Sequence, residues 1–382
     1  MNILLLVPYY TGSHAAWADG FIQASSHHVT LLALTGAFWK WRMHGGAVTL
    51  ARQTLERRLP KPDLILATDM LDLTTYLALT REYTHDIPTV LYMHENQLTY
   101  PIKPGEKRDL HYAFINYASM LAADRVFFNS RYHMESWFDE LPRMLKHFPD
   151  YCELESIPRL QAKSEVLPVG IHLKRYDAFR PTQPRSGEPL ILWNHRWDFD
   201  KNPQDFFNAL VRLAGENLPF NVAIVGENYR QKPTEFEEGR AMLGERITHY
   251  GFVQKFEDYA RLLWRADILP VTSLHDFFGI SVVEAIYCDT FPIVSNRLTY
   301  PEYIPPALTD QCIYRTPQEL TDKLRYALCH IDVIRNISLR QQVEKYDWSN
   351  LIRKYDERLA DICNHSRSNA RVKNSAGFPD TP

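Results

Sequence analysis

The stretch from Val271 to Ser295, V-T-S-L-H-D-F-F-G-I-S-V-V-E-A-I-Y-C-D-T-F-P-I-V-S, decides the fold of the chain. It predicts the end of a buried strand, a short polar loop, a helix and a second apolar strand. Gly279 stands at the loop-to-helix turn. Glycine there lets backbone approach a ligand, and the first N–H groups of the helix form a ready anion site. Asp276 precedes that turn, and Glu284 follows eight residues later, where a carboxylate can accept hydrogen bonds from paired sugar hydroxyls. Phe278, Gly279, Ile280 and Glu284 are therefore candidate donor-binding residues, and the stretch predicts a nucleotide-sugar site.

The segments before it repeat the pattern. Leu190–Trp193 is an apolar strand that delivers Asn194-His195-Arg196-Trp197-Asp198 at its end, then Lys201-Asn202-Pro203 and a helix from about Gln204 to Ala214. Arg196 and Lys201, five residues apart before a helix N-terminus, suit a diphosphate. Asn221–Val225 is the next strand and ends at Gly226. Ile247–Val253 is a short strand with a tight turn at Gly251, suited to holding a flat base through backbone groups.

The first half opens in the same way. Asn2–Val7 is a continuous apolar strand, followed by a turn containing Gly12, Ser13 and His14 and by a helix over Ala15–Ala24. The turn lies at the carboxyl end of a parallel strand, where doubly wound sheets bind ligands. Further strands are expected at Val29–Leu34, Leu64–Ala67, Thr89–Met93 and Arg125–Phe128, with Ser130 capping the helix after the last. Thr89–Met93 ends in His94-Glu95-Asn96-Gln97. Polar groups at the end of a buried strand are costly unless partnered or used, and a histidine beside a glutamate can position a hydroxyl. A hydrogen-bonded turn is the plainer account.

Phe38–Gly46 is dense in aromatics, cations and glycine. It is expected to be a loop, either burying its own tryptophans under the sheet edge or offering Trp39, Lys40 and Arg42 to an acceptor. Arg52, Arg57, Arg58 and Lys61 extend the positive charge along a helix. Lys103, Lys107 and Arg108 form a charged loop that could face an anionic acceptor. Residues 139–165 look like a peripheral excursion, and a hinge falls within 180–189. Helical spacing returns at Pro317–His330 and Ser338–Ile362.

With 382 residues, 45% of them hydrophobic, the length favours two domains. Net charge is -3, and residues 1–175 hold 18 Lys/Arg against 18 Asp/Glu, so any RNA contact must come from a local patch. The five cysteines are odd in number and scattered without C-x-x-C, which argues against a disulfide framework or zinc site. The apolar start is only a strand's length before Pro8, and no run nears the ~20 apolar residues of a membrane span. A soluble cytoplasmic protein is expected.

On these residues the second half resembles the GT-B glycosyltransferases of the family 4 type. Their E-x-F-G and E-A signature stands here as Asp276-Phe277-Phe278-Gly279 and Glu284-Ala285, with Asp at the first acidic position. G-S-H at 12–14, F-W-K-W-R at 38–42, H-E-N-Q-L at 94–98, Y-P at 100–101, R-D at 108–109, F-N-S at 128–130 and Y-P-E at 300–302 narrow it. Jointly they look like the tRNA-queuosine mannosyltransferase family over roughly residues 1–365.

The resemblance implies two Rossmann-like α/β domains with parallel sheets facing across a cleft. Residues 1–175 would hold the acceptor and 176–340 the donor; a helix over 341–363 would cross back to the first domain, and 364–382 would be a disordered tail. It implies mannose transfer from GDP-mannose to the cyclopentene diol of queuosine at the wobble position of tRNA-Asp. His94, Glu95 and Asp276 would be catalytic. Gly12, Ser13, His14, Arg196, Lys201, Gly226, Gly251 and the 278–284 set would hold the donor, without a metal. Trp39, Lys40, Arg42, Asn96, Gln97, Lys103, Lys107, Arg108 and Asn129 would meet the tRNA. No obligate protein partner and no membrane are expected. Alternatives are a transferase of the same fold acting on a lipid or small glycoside, a sugar phosphorylase, and a non-catalytic tRNA-binding protein.

Overall fold

The computed structural model describes residues 1–102, 105–226 and 233–375, with 366–375 as backbone alone. Lys103 and residues 376–382 lie outside the described residues. The chain forms two compact units, one of residues 1–171 with the helix that begins at Trp348, the other of residues 172–347.

The first unit holds strands β1 (Asn2–Tyr10), β2 (His28–Thr35), β3 (Leu64–Thr68), β4 (Thr89–Met93), β5 (Arg125–Phe128) and β6 (Ser164–Val166). They form one parallel sheet in the order β2-β1-β3-β4-β5-β6. Helices cover both faces, so β3 and β4 are buried along their whole length and read as unbroken apolar runs. The carboxyl ends of β1, β3 and β4 bring Gly12, Asp69 and His94 to one edge of this sheet. The second unit repeats the plan with β7 (Leu190–Trp193), β8 (Asn221–Val225), β9 (Ile247–Gly251), β10 (Ile268–Val271), β11 (Phe291–Ser295) and β12 (Ile313–Tyr314). Their order is β12-β11-β10-β7-β8-β9, again parallel. The helix Ile280–Tyr287 joins β10 to β11, as the Val271–Ser295 stretch predicts.

Three segments differ from expectation. Phe38–Gly46 is no loop: Trp39 begins an 18-residue helix that runs to Glu56. Met43, Gly46, Ala47, Leu50, Ala51 and Thr54 recur at helical spacing and are all buried, and this stripe outweighs the two glycines. Residues 139–165 are part of the fold, because the helices Arg131–Leu145 and Ser156–Ala162 lead into edge strand β6. Ser338–Ile362 is broken: a short helix at Arg340–Val343 and a 3₁₀ turn end before Asp347, and a new helix runs from Trp348 to Ser375, past the Asn364 start expected for the tail.

Trp348 is the seat of that last helix. Its backbone N–H donates to the Ile171 carbonyl at 2.9 Å, and its ring packs on Tyr355 and Phe21. Glycine is required where the indole lies: a Cβ at Gly20 would stand 2.0 Å from Trp348 Nε1, and one at Gly170 2.4 Å from the ring. Tyr355 OH donates to the Pro168 carbonyl at 2.6 Å and accepts from Trp17 Nε1 at 3.1 Å, tying the helix to the core.

Two opposing effects meet at Gly20. Alanine in a helix interior is favoured over glycine by about 1 kcal/mol, whereas forcing a methyl into this contact costs about 1–3 kcal/mol. Gly20→Ala is therefore expected to lower the unfolding free energy in urea. Trp348→Ala alone should cost about 3–5 kcal/mol. In the Trp348→Ala background, Gly20→Ala should become neutral or stabilising; equal effects in both backgrounds would refute the packing account.

Candidate active site

In the second unit, three loops converge at the carboxyl ends of β7, β8 and β10. Gly279 adopts φ +74° as the residue that starts the helix Ile280–Tyr287, and its missing Cβ would lie 3.2 Å from the Tyr300 ring. A side chain there would be strained and crowded, so the open N–H end of the helix is preserved. Gly226 has φ +155°, and a Cβ on it would come within 2.0 Å of the His195 carbonyl. Gly251 ends β9 with open space beside it. Phe278 is buried against Tyr346 and Tyr303, and Tyr303 OH donates to the Phe278 carbonyl.

The carboxylates of this unit are held in different ways. Asp276 accepts from Lys201 Nζ at 3.0 Å and from Tyr300 OH. Burial would raise its pKa, but Lys201, His195 and the Tyr300 hydroxyl together hold it below the usual carboxylate range. Lys201 is itself buried, with its ammonium on the His275 carbonyl at 2.7 Å and near Asp200 at 3.2 Å. It serves Asp276, while Arg196 is the half-exposed cation, 3.4 Å from both Asp198 and Asp200. Glu284 accepts from Tyr259 OH at 3.2 Å and lies 3.8 Å from Arg175; burial leaves its carboxyl raised. Asn194 donates to the Ser281 carbonyl at 2.8 Å, and Ser281 Oγ meets His195 Nδ1 at 3.1 Å. The His195 Nε2 and Asn194 Oδ1 atoms are buried without a hydrogen-bond partner among the described residues.

In the first unit, Gly12 and Ser13 are exposed at the start of the helix Gly12–Ala24, and His14 is buried in its first turn. The His14 and His94 rings are 4.5 Å apart, and His14 Nε2 is 4.0 Å from Glu95. Burial holds both imidazoles neutral. It lowers His14 to about 4, and it lowers His94 well below the usual imidazole range, with help from His14 and His133. Glu95 accepts from Gln97 Nε2 at 2.8 Å, and Arg108 Nη1 donates to the Gln97 carbonyl at 2.9 Å. Asn96 is fully buried and caps its own turn by accepting from the Leu98 and Thr99 N–H groups. Asn129 donates to the His94 carbonyl at 2.8 Å and meets His133 Nδ1 at 2.8 Å. Arg42 is committed to the Thr35 carbonyl at 3.1 Å, Trp39 is half-buried against Tyr112, and Lys40 and Lys107 are exposed.

Several residues of these sites carried no assignment from sequence. Asp69 is buried at the end of β3 and accepts from the His94 N–H at 2.8 Å; burial and the Glu95 charge push its carboxyl well up. Asn116 holds the Gln97 N–H at 3.0 Å and the Asp69 carbonyl at 2.9 Å. The signal was present in Thr68-Asp69, a polar pair closing a buried strand just as His94 does. Asn116 gave no signal, since nothing in the sequence sets it apart from His111 and Ser119 on the same largely apolar helix. Tyr300 belonged to a quoted motif, but its contact with Asp276 spans a whole strand and turn.

The profile described as "tRNA-queuosine alpha-mannosyltransferase N-terminal" matches residues 2–171, and that described as "Glycosyl transferases group 1" matches residues 175–340. The chain is 31% identical over 342 residues to the tRNA-queuosine alpha-mannosyltransferase of Drosophila melanogaster, covering 86% of this chain and 87% of that one. It is 24% identical over 312 residues to a GDP-mannose-dependent alpha-(1-6)-phosphatidylinositol dimannoside mannosyltransferase of Mycobacterium tuberculosis, covering 79% and 74% of the two. Among solved structures it is similar to sucrose-phosphate synthase of Thermosynechococcus elongatus, with TM-score 0.65 and 15% identity over 99% of this chain and 100% of that one. Two six-stranded parallel units with these neighbours make the fold GT-B.

Two outcomes follow from the charges. Lys201→Met leaves Asp276 buried without its ammonium and is expected to cost about 3–5 kcal/mol in urea unfolding. The carboxylate of Asp276, held below its unfolded range, adds stability above about pH 4 that is lost as pH falls through the folded value. Without Lys201 burial prevails and the sign reverses: the raised carboxyl costs stability as pH rises above its unfolded value of about 4, so Lys201→Met with Asp276→Asn should recover much of the deficit at about pH 7. His14 acts in the same direction over a higher window: its folded pKa lies below its unfolded one, so stability is full above about pH 6.5 and falls as pH drops toward 4. The expected loss is about 2 kcal/mol at pH 5. His14→Gln should flatten thermal melting between pH 6.5 and 5; an unchanged slope would refute this assignment.

Proposed function

The chain belongs to the tRNA-queuosine alpha-mannosyltransferases, and from that and its two sites we propose that it moves mannose from GDP-mannose to the cyclopentene diol of queuosine, at the wobble position of tRNA-Asp. The carrying observation is the second-unit constellation: an open helix N-terminus at Gly279, a half-exposed Arg196, the buried carboxylate Glu284 and the part-buried carboxylate Asp276. Together these offer an anion site and two separate hydroxyl-binding carboxylates, which is what a nucleoside diphosphate sugar requires.

In this reading Glu284 accepts from the ribose hydroxyls, and the base lies along the backbone at Gly251. Arg196 and the N–H groups of Ile280 and Ser281 hold the diphosphate. Lys201 acts at one remove, keeping Asp276 ionised and aimed at the mannose hydroxyls. In the first unit Glu95 and Gln97 bind the diol, and neutral His94 accepts a hydrogen bond from the attacking hydroxyl. The bond from the anomeric carbon to the diphosphate oxygen breaks with its electron pair going to GDP. The acceptor oxygen forms the new bond on the same face, and its proton ends on the departing phosphate. Donors aimed at the charge that develops on the leaving group speed this step without reorganising.

No described helix is long and apolar enough to cross a membrane. We place the reaction in the cytoplasm, where tRNA and GDP-mannose are both present.

The test is incubation of queuosine-containing tRNA with GDP-mannose, UDP-galactose or UDP-glucose, followed by mass analysis of the nucleosides. A hexose gain on queuosine with GDP-mannose alone is expected; no gain with any donor would refute the reading. Arg196→Ala should lower kcat about 10²-fold at saturating donor.

A further inference from the structure

The Trp39–Glu56 helix carries a surface that neither site uses. With its inner stripe committed to the core, its outer stripe is Trp41, His44, Val48, Arg52 and Leu55, spaced three, four, four and three residues apart. Trp41 is 62% exposed and Phe38, just before the helix, 81%. A solvated helix face would carry few such rings. From Trp39 to Arg58 the chain has five Lys/Arg and one acid, in a protein of net charge -3. Arg42 is used by Thr35, but Lys40, Arg52, Arg57 and Arg58 are exposed. Arg57 and Arg58 face no carboxylate within ion-pair distance among the described residues. The Arg52–Glu56 pair is exposed on both sides and contributes little.

The helix begins beside the proposed acceptor residues. Trp39 packs in one cluster with Met43, Met70 and Tyr9; the Tyr9 ring meets His14, and the Met70 sulfur lies 4.0 Å from Gln97 Nε2. From there to Glu56 the helix rises roughly 27 Å at 1.5 Å per residue, with Arg57 and Arg58 just past its end. It also lies within residues 2–171, the part of the chain matched by the queuosine-specific profile.

We propose that this outer face is a docking surface for the phosphate backbone of the acceptor RNA, with the modified nucleotide at His94–Gln97 and the adjoining stem along the helix. This rests on queuosine tRNA being the acceptor. Spaced cations neutralise successive phosphates, and exposed rings stack on bases near the loop. A lipid surface fits less well. A membrane-bound helix turns an unbroken apolar face outward, but here the apolar face is in the core and Arg52 and His44 interrupt the outer one.

The experiment is binding of fluorescent queuosine tRNA to the full chain across a salt series. It compares wild type with Arg52→Ala, Arg57→Ala, Arg58→Ala combined, and with the same three changed to Lys. The Ala variant should raise Kd tenfold or more at about 0.15 M salt and flatten the log–log salt slope by about 2–3. The Lys variant should keep most of the affinity. Melting temperature and GDP affinity should match wild type in both, and tRNA lacking queuosine should lose affinity in parallel, because phosphates are what is read. An unchanged slope, or equal losses for Ala and Lys, overturns the proposal. So does loss of binding to phosphatidylserine vesicles with RNA binding intact. Failure of mannose transfer with this salt dependence intact would refute the proposed reaction and leave the surface standing.

Discussion

A parallel strand covered by helices on both faces has nowhere to put a polar side chain except at its ends. That constraint arranges everything else in the two units. β3, β4, β7, β10 and β11 are apolar and buried throughout or nearly so. Asp69, His94, Asn194, His195 and Asp276 all follow a carboxyl end of such a strand. Each arrives partly or wholly buried, and each must be bonded, neutralised or reserved for a ligand. The same geometry that makes the sheets thus makes the sites.

Both units meet that demand by the same two means. Where charge is kept it is matched: Lys201 against Asp276 and Asp200, Arg196 against Asp198 and Asp200. Elsewhere burial removes it, holding His14 and His94 neutral in the first unit and His195 and His275 in the second, and pushing the Asp69 and Glu284 carboxyls up. In the proposed reaction the matched cations suit a diphosphate leaving group, whose negative charge grows as the bond breaks.

Much of the fold was legible because strand burial writes itself as apolar runs, and Gly12, Gly226 and Gly279 mark the turns between strand and helix. The helix at Trp39 was not. Its aromatic and glycine content suggests a loop, and only the Met43–Thr54 periodicity, which needs the sheet face to give it meaning, argues otherwise. The break before Trp348 was equally hidden, since it is set by the indole's contacts with Gly20 and Gly170, far off in the chain. In the site, residues next to a strand end announced themselves. Asn116 and Tyr300 act through folding partners distant in sequence, and no local pattern reveals such a partner.

The Lys201–Asp276 pair raises a question of economy. Buried ion pairs are weak contributors to stability, and apolar residues of similar size often replace them at no loss. Packing alone would favour such a replacement here. Yet Asp276 is bonded on both oxygens, by Lys201 and by Tyr300, from two different segments. That fixes the carboxylate in place and keeps it ionised where burial alone would protonate it. A group used only for stability needs neither property. In the proposed reaction Asp276 presents a rigid, charged acceptor to a sugar hydroxyl and needs both, and Lys201 and Tyr300 together provide them.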